Sequence, residues 1–275
     1  MTDALPLLLE PNELAAHLDN PRLRVVDLSH PRIHAQAHVP GAVALDFRRL
    51  QLGTLPAPGL LPSLDSISQL LAQLGIDADT QVVACDDEGG GWAARLCWLL
   101  ESVGHNHYSL LNGGIHAWLA DSLPTEEGNQ PAQATDARAL QLNAATQVDC
   151  DWLLAHCQDA DLRLWDARSA EEFSGERAYA QKAGHIPGAI HLEWTRLMDQ
   201  TRQLRLKPQD TLRVELAELG LDDQHPIVTY CQTHHRSSLA WFVGRLLRLD
   251  IRAYPGSWAE WGNHPDTPCE KPDDL

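Results

Sequence analysis

Ile227-Val-Thr-Tyr-Cys231-Gln-Thr-His-His-Arg236-Ser-Ser-Leu-Ala-Trp-Phe-Val-Gly-Arg-Leu-Leu-Arg-Leu249 joins three kinds of sequence in one line. Ile227 to Tyr230 is a short apolar, β-branched run, the signature of a buried strand. From Ser237 to Leu249, apolar residues fall at Leu239, Phe242, Val243, Leu246 and Leu247, the i, i+3, i+4, i+7, i+8 stripe of a packed helix. Between them lies a polar loop holding a cysteine, two histidines and an arginine. A strand that runs through a short loop into a helix is half of a parallel β-α unit.

Working outward, the same grammar occurs twice. Leu23-Arg-Val-Val-Asp27 matches Leu162-Arg-Leu-Trp-Asp166, and His38-Val-Pro-Gly-Ala42 matches His185-Ile-Pro-Gly-Ala189. Leu45-Asp-Phe47 answers to Leu192-Glu-Trp194, and Leu71-Ala-Gln-Leu-Gly75 to Leu216-Ala-Glu-Leu-Gly220. Val82-Val-Ala-Cys85 corresponds to Ile227-Val-Thr-Tyr230, and Gly113 with Trp118 corresponds to Gly256 with Trp261. Order and spacing agree along nearly the whole chain, so a domain has been duplicated; the unit is too long for a solenoid repeat. Strands are expected at Arg24–Leu28, Val82–Cys85 and Ser109–Leu111, then at Arg163–Ala167, Ile227–Tyr230 and Ile251–Tyr254. Ser66–Leu74 and Ser237–Leu249 read as helices. Alternation of this kind predicts an α/β fold, a parallel sheet flanked by helices on both faces in each copy. The Gln-, Thr- and Ala-rich stretch 126–137 reads as a linker between domains spanning 1–125 and 138–275.

Bulk properties narrow the function. The 275 residues are 44% hydrophobic and 21% charged, enough for two packed cores and unlike a disordered chain. A formal net charge of -17 argues against nucleic acid or an anionic membrane as partner. The run Leu5–Leu9 is too short for a secretory signal and meets Glu10 and Pro11. No segment approaches the roughly 20 apolar residues that span a bilayer. A cytoplasmic protein is expected, and its six irregularly spaced cysteines are expected to be thiols.

Cys231 stands at the carboxyl end of a buried parallel strand, the edge where open α/β sheets bind ligands. Loop amides that point inward, the helix N-terminus and Arg236 all favour an anion there, with His234 and His235 as further sources of positive charge. Such a field lowers a thiol pKa, and the thiolate is the nucleophile. A lone cysteine at the end of an apolar strand is usually core; two histidines and an arginine in the next five residues are strange company for one. Opposite Cys231 the first copy has Asp86, and opposite Arg236 it has Gly91. Asp86, Asp87 and Glu88 make that loop acidic and are expected to repel an anion. Cys85 falls one residue earlier, within the strand, and reads as core.

On Asp27 and Asp166, the two His-x-Pro-Gly-Ala segments, the Cys231 loop and the Gly-to-Trp element, both copies resemble rhodanese domains. The loop Cys231-Gln-Thr-His-His-Arg-Ser237 is similar to that of bacterial tandem-domain thiosulfate sulfurtransferases. The resemblance implies two rhodanese-like domains, each with a five-stranded parallel sheet. It implies a sulfurtransferase with Cys231 as the catalytic, sulfur-carrying residue. Gln232, Thr233, His234, His235 and Arg236 would bind a small anionic donor, thiosulfate first. The acceptor would be cyanide, a thiol or a protein. No cofactor and no metal is called for, and a monomer is expected. The first copy would be degenerate, kept for packing and for one wall of a cleft, which Trp92 either lines or underpins as core.

The remaining residues carry open readings. Asp166 either orients the loop or Arg236, or caps a turn; Arg168 pairs with it or with nearby carboxylates. His185 reads as structural beside the turn at Pro187 and Gly188, as do Cys97, Cys150, Cys157 and Cys269. Glu172 is a departure, since vertebrate-type thiosulfate enzymes carry a substrate-binding arginine at about this place. The loop also lacks their Cys-Arg-x-Gly pattern and the Cys-Gly-Ser-Gly of mercaptopyruvate enzymes. Alternatives are therefore a 3-mercaptopyruvate sulfurtransferase and a non-catalytic persulfide carrier. A cysteine-dependent phosphatase is a further one, although its loop is typically one residue longer.

Overall fold

The computed structural model describes residues 5–129 and 131–271. Strands β1 (Leu8–Leu9), β2 (Leu23–Asp27), β3 (Val43–Ala44), β4 (Gln81–Cys85) and β5 (Tyr108–Leu111) alternate with helices α1 (Pro11–Ala15), α2 (Pro31–Gln36), α3 (Leu64–Gln73), α4 (Gly91–Ser102) and α5 (Gly114–Ala120). After α6 (Cys150–His156) come β6 (Arg163–Asp166), α7 (Ala170–Ser174), β7 (Ile190–His191), β8 (Met198–Asp199) and β9 (Arg205–Leu206). The chain closes with α8 (Gln209–Glu218), β10 (Ile227–Tyr230), α9 (Arg236–Leu246), β11 (Ile251–Ala253) and α10 (Ser257–Trp261). Among the described residues no helix is long and apolar enough to cross a membrane.

The chain forms two compact units. The first has a five-stranded parallel sheet in the order β1-β5-β4-β2-β3. Val25, Val26, Val82 and Val83 are buried within it, as befits β-branched residues covered on both faces. The second has a parallel sheet in the order β11-β10-β6-β7. Registers coincide: Asp27 pairs with Cys85 in one sheet, and Asp166 with Tyr230 in the other.

Five strands were expected in each copy, and among the described residues the sheet of the second unit has four. Where β1 pairs two residues with β5, the second unit has one isolated parallel bridge, Gln147 to Ala253. The chain turns away at once because Asp149 caps α6, its carboxylate accepting from the Trp152 amide at 2.8 Å.

Each unit also contains a segment that the aligned repeat would place elsewhere. The first comprises the chain up to Leu50, Pro62–Asn143 and Met198–Leu206; the second comprises Gln51–Leu61, Ala144–Leu197 and Lys207–Leu275. In the first unit the β8–β9 ribbon is antiparallel. Arg205 at its end donates to Glu10 at 3.2 Å and to Asp121 at 2.9 Å, and the Leu206 amide donates to Asn112 at 2.7 Å. In the second unit, Gly59 lies so close to the Cys231 loop that a β-carbon on it would fall 2.4 Å from the Thr233 carbonyl oxygen.

Candidate active site

Strand β10 delivers Cys231 as the next residue after Tyr230, and α9 starts five residues on, at Arg236. The loop between them rests on α10. Trp258 donates its amide to the Cys231 carbonyl at 2.9 Å, and Ala259 donates to the Gln232 carbonyl at 3.0 Å. The Cys231 amide donates to Ser257 Oγ at 3.3 Å, and Ser257 Oγ donates to the Tyr254 carbonyl at 2.9 Å. The late Gly-to-Trp element of the repeat is thus the support under the loop.

Cys231 is 1% exposed. Burial raises its pKa, yet the thiol lies below its ordinary value. Arg236 opposes burial with its charge, and the Ser237 hydroxyl and the amides of Ser237 and Thr233 add hydrogen bonds. The sequence expects loop amides and Arg236 to favour an anion here; the Ser237 hydroxyl is a contributor that it does not name. In the sequence Ser237 reads only as the start of a helix. The signal available was a Ser-Ser pair at the first helical positions, where a short hydroxyl side chain folds back on the preceding loop.

Arg236 is not a free cation. Its Nη1 lies 2.5 Å from Glu172 Oε2 and its Nη2 2.8 Å from Oε1, a two-pronged pair with a carboxylate only 4% exposed. Burial raises the Glu172 pKa, but the Arg236 hydrogen bonds and charge outweigh it and hold the carboxyl below its usual range. Glu172 is placed by α7, where it forms a capping box with Ser169. The departure noted in the sequence is therefore the partner of the loop arginine.

Of the readings open for Asp166, its hydrogen bonds are those of the turn and of the pair with Arg168. It accepts from the Arg168 amide at 2.9 Å and from Arg168 Nε at 3.0 Å and Nη2 at 2.5 Å. Both side chains are buried, and the Arg168 guanidinium lies 4.4 Å over the Trp258 ring. Asp166 thus turns the chain and fixes Arg168 against the helix that supports the loop.

The other loop residues divide. Thr233 gives its amide to the sulfur. Gln232 is half-buried and reaches the Tyr179 carbonyl with Nε2 at 3.4 Å. His235 is half-buried, its ring 5.7 Å from Trp194. His234 is fully buried, and its Nδ1 lies 2.8 Å from Ser237 Oγ. His185 Nδ1 lies 2.9 Å from the Phe173 carbonyl oxygen, and its ring stacks on Phe173. Among the described residues, no group of three or more His, Cys, Asp and Glu side chains converges as a metal would need.

In the first unit the corresponding loop is filled by its own carboxylate. Asp86 Oδ1 accepts from the amides of Glu88 at 3.2 Å and Gly90 at 2.8 Å, and Oδ2 from Ala93 at 3.0 Å. Rather than only repelling an anion, this loop holds one of its own. Burial, with Glu88 adding to it, pushes the Asp86 carboxyl up to about 6 against those donors. Cys85 is buried within the strand, and burial pushes its thiol well up. Trp92 stacks on Phe47 at 3.9 Å. Cys97, Cys150 and Cys157 are buried, whereas Cys269, also expected to be structural, is exposed.

The rhodanese-like domain profile matches residues 10–121 and 149–264. A thiosulfate sulfurtransferase of Azotobacter vinelandii is 46% identical, over 97% of this chain and 98% of its own. One from Pseudomonas aeruginosa is 44% identical, over 97% of both chains. The crystal structure of the Escherichia coli 3-mercaptopyruvate sulfurtransferase SseA superposes with a TM-score of 0.81 at 27% identity, covering 92% of this chain and 99% of its own.

Proposed function

The chain belongs to the rhodanese family, with two copies of the domain, and from that premise we propose that it is a thiosulfate sulfurtransferase working through a persulfide on Cys231. The Cys231 thiolate attacks the sulfane sulfur of thiosulfate; the sulfur–sulfur bond breaks and sulfite leaves with its electron pair. An acceptor, cyanide or a thiol on a small molecule or a protein, then attacks the outer sulfur. The bond to Cys231 breaks, its electrons return to the thiolate, and thiocyanate or the acceptor persulfide departs. The observation that carries this reading is a buried cysteine on the loop between β10 and α9, beside Arg236, Ser237 and the Thr233 amide, which favour its thiolate against the cost of burial. The same donors suit the charge on donor, persulfide and released thiolate.

Two half-reactions through one covalent intermediate give parallel double-reciprocal lines when thiosulfate and cyanide are varied together. Intersecting lines, or full turnover by Cys231→Ala, would contradict the reading. A second donor, 3-mercaptopyruvate, is favoured by one observation: Glu172 cancels much of the Arg236 charge, which lessens the advantage of a dianion over a monoanion. Comparing kcat/KM for the two donors decides between them, and the higher value is expected for thiosulfate. Within the same reading the protein acts as a monomer in the cytoplasm, and its net charge of -17 speaks against nucleic-acid or anionic-membrane partners.

A further inference from the structure

At the fourth position of the loop the two units differ in an informative way. The first has Gly89, at φ 94°, and the second has His234, at φ 54°. A left-handed backbone suits glycine; a residue with a β-carbon is held there only where its surroundings over-determine it, and such strain gathers at functional sites. His234 is fully buried, with Nδ1 2.8 Å from Ser237 Oγ, and its carbonyl accepts from Ser238 Oγ at 2.6 Å. Ser237 is also fully buried. Its hydroxyl is held by His234 and is among the groups whose hydrogen bonding lowers the Cys231 thiol pKa.

A serine hydroxyl has one proton. If His234 Nδ1 donates to Oγ, that proton is left for the sulfur; without the imidazole, the hydroxyl can rotate to a backbone carbonyl of the preceding turn. We propose that His234 is a positioning residue which, through Ser237, aims a hydroxyl proton at the sulfur of Cys231. The contact stabilises the resting thiolate. It also stabilises the thiolate that leaves when the outer sulfur of the persulfide passes to the acceptor. The inference rests on Cys231 being the sulfur carrier, and it assigns to His234 a part other than substrate binding.

The test uses the full chain, freed of persulfide with cyanide. The Cys231 thiolate is titrated by ultraviolet absorbance and by the pH dependence of its alkylation, with Cys231→Ala as the blank. Arg236, whose charge acts on the sulfur, and its partner Glu172 are kept in every variant. Ser237→Ala is expected to raise the titration midpoint by about one pH unit, about tenfold less thiolate on its acid side. His234→Ala moves it in the same direction. His234→Asn, whose side-chain N–H can replace Nδ1 and which tolerates the left-handed backbone, restores it. In the Ser237→Ala background, His234→Ala adds nothing, since its effect passes through that hydroxyl. Should His234→Ala fold poorly, His234→Gly reproduces the residue of the first unit, relieves the backbone and is expected to show the same upward shift. An unchanged midpoint in the His234 variants, or an equal further shift when Ser237 is already alanine, overturns the proposal. Those results leave the persulfide reading intact, whereas turnover by Cys231→Ala removes that reading itself.

Discussion

At the scale of single residues, charge partners decide the site. Cys231 was legible in the sequence because a strand, a basic loop and a helix stood in line around it. Its pairing field was less legible. Glu172 and Arg236 lie 64 residues apart and meet only through the placement of α7 against α9. Glu172→Gln should free the guanidinium and lower the KM for thiosulfate several-fold, which steady-state rates would measure. Arg236→Ala should do the reverse and also strand a buried carboxylate, at a cost on the order of 3 kcal/mol in denaturant unfolding. Because the folded Glu172 pKa is depressed, its contribution is present above the unfolded carboxyl value and fades as pH falls through the folded one. The destabilisation by Arg236→Ala should therefore shrink in acid.

At the scale of elements, the two strand–loop–helix units act as each other's control. Both close a polar loop over backbone amides, and one fills that space with Asp86 while the other leaves it to the sulfur of Cys231. The substitution was visible in the aligned repeat; that Asp86 turns inward to take the amides was not, because nothing local fixes its rotamer. Its carboxyl, raised from 3.8 to about 6, favours the neutral form in the fold. That contribution is complete below the unfolded value and is lost as pH rises through the folded one, on the order of 3 kcal/mol. Asp86→Asn should flatten this slope between acid and neutral pH, as read by urea midpoints. The longer strands were readable from their short apolar runs. The two-residue strands β1, β3 and β7 were not, since a pair of residues carries no period. The lone bridge at Gln147 escaped for the same reason.

At the scale of the whole molecule, duplication was the strongest signal in the chain, and the two domain profiles follow it closely. What the repeat could not show is that Gln51–Leu61 and Met198–Leu206 each join the unit built mostly from the other copy. An alignment of copies orders residues along the chain, whereas compactness is set by contacts such as those of Arg205 with Glu10 and Asp121. Arg205→Ala should lower the thermal midpoint of unfolding by a few degrees, an effect of about 1 kcal/mol, and leave thiosulfate kinetics unaltered. The central claim is that one cysteine of the second unit carries the sulfur. Its most direct test is the intact mass of the protein after incubation with thiosulfate and removal of excess donor, beside Cys231→Ala. The account predicts a gain of one sulfur atom in the wild type alone, reversed by cyanide. No gain in the wild type, or the same gain in the variant, would contradict it.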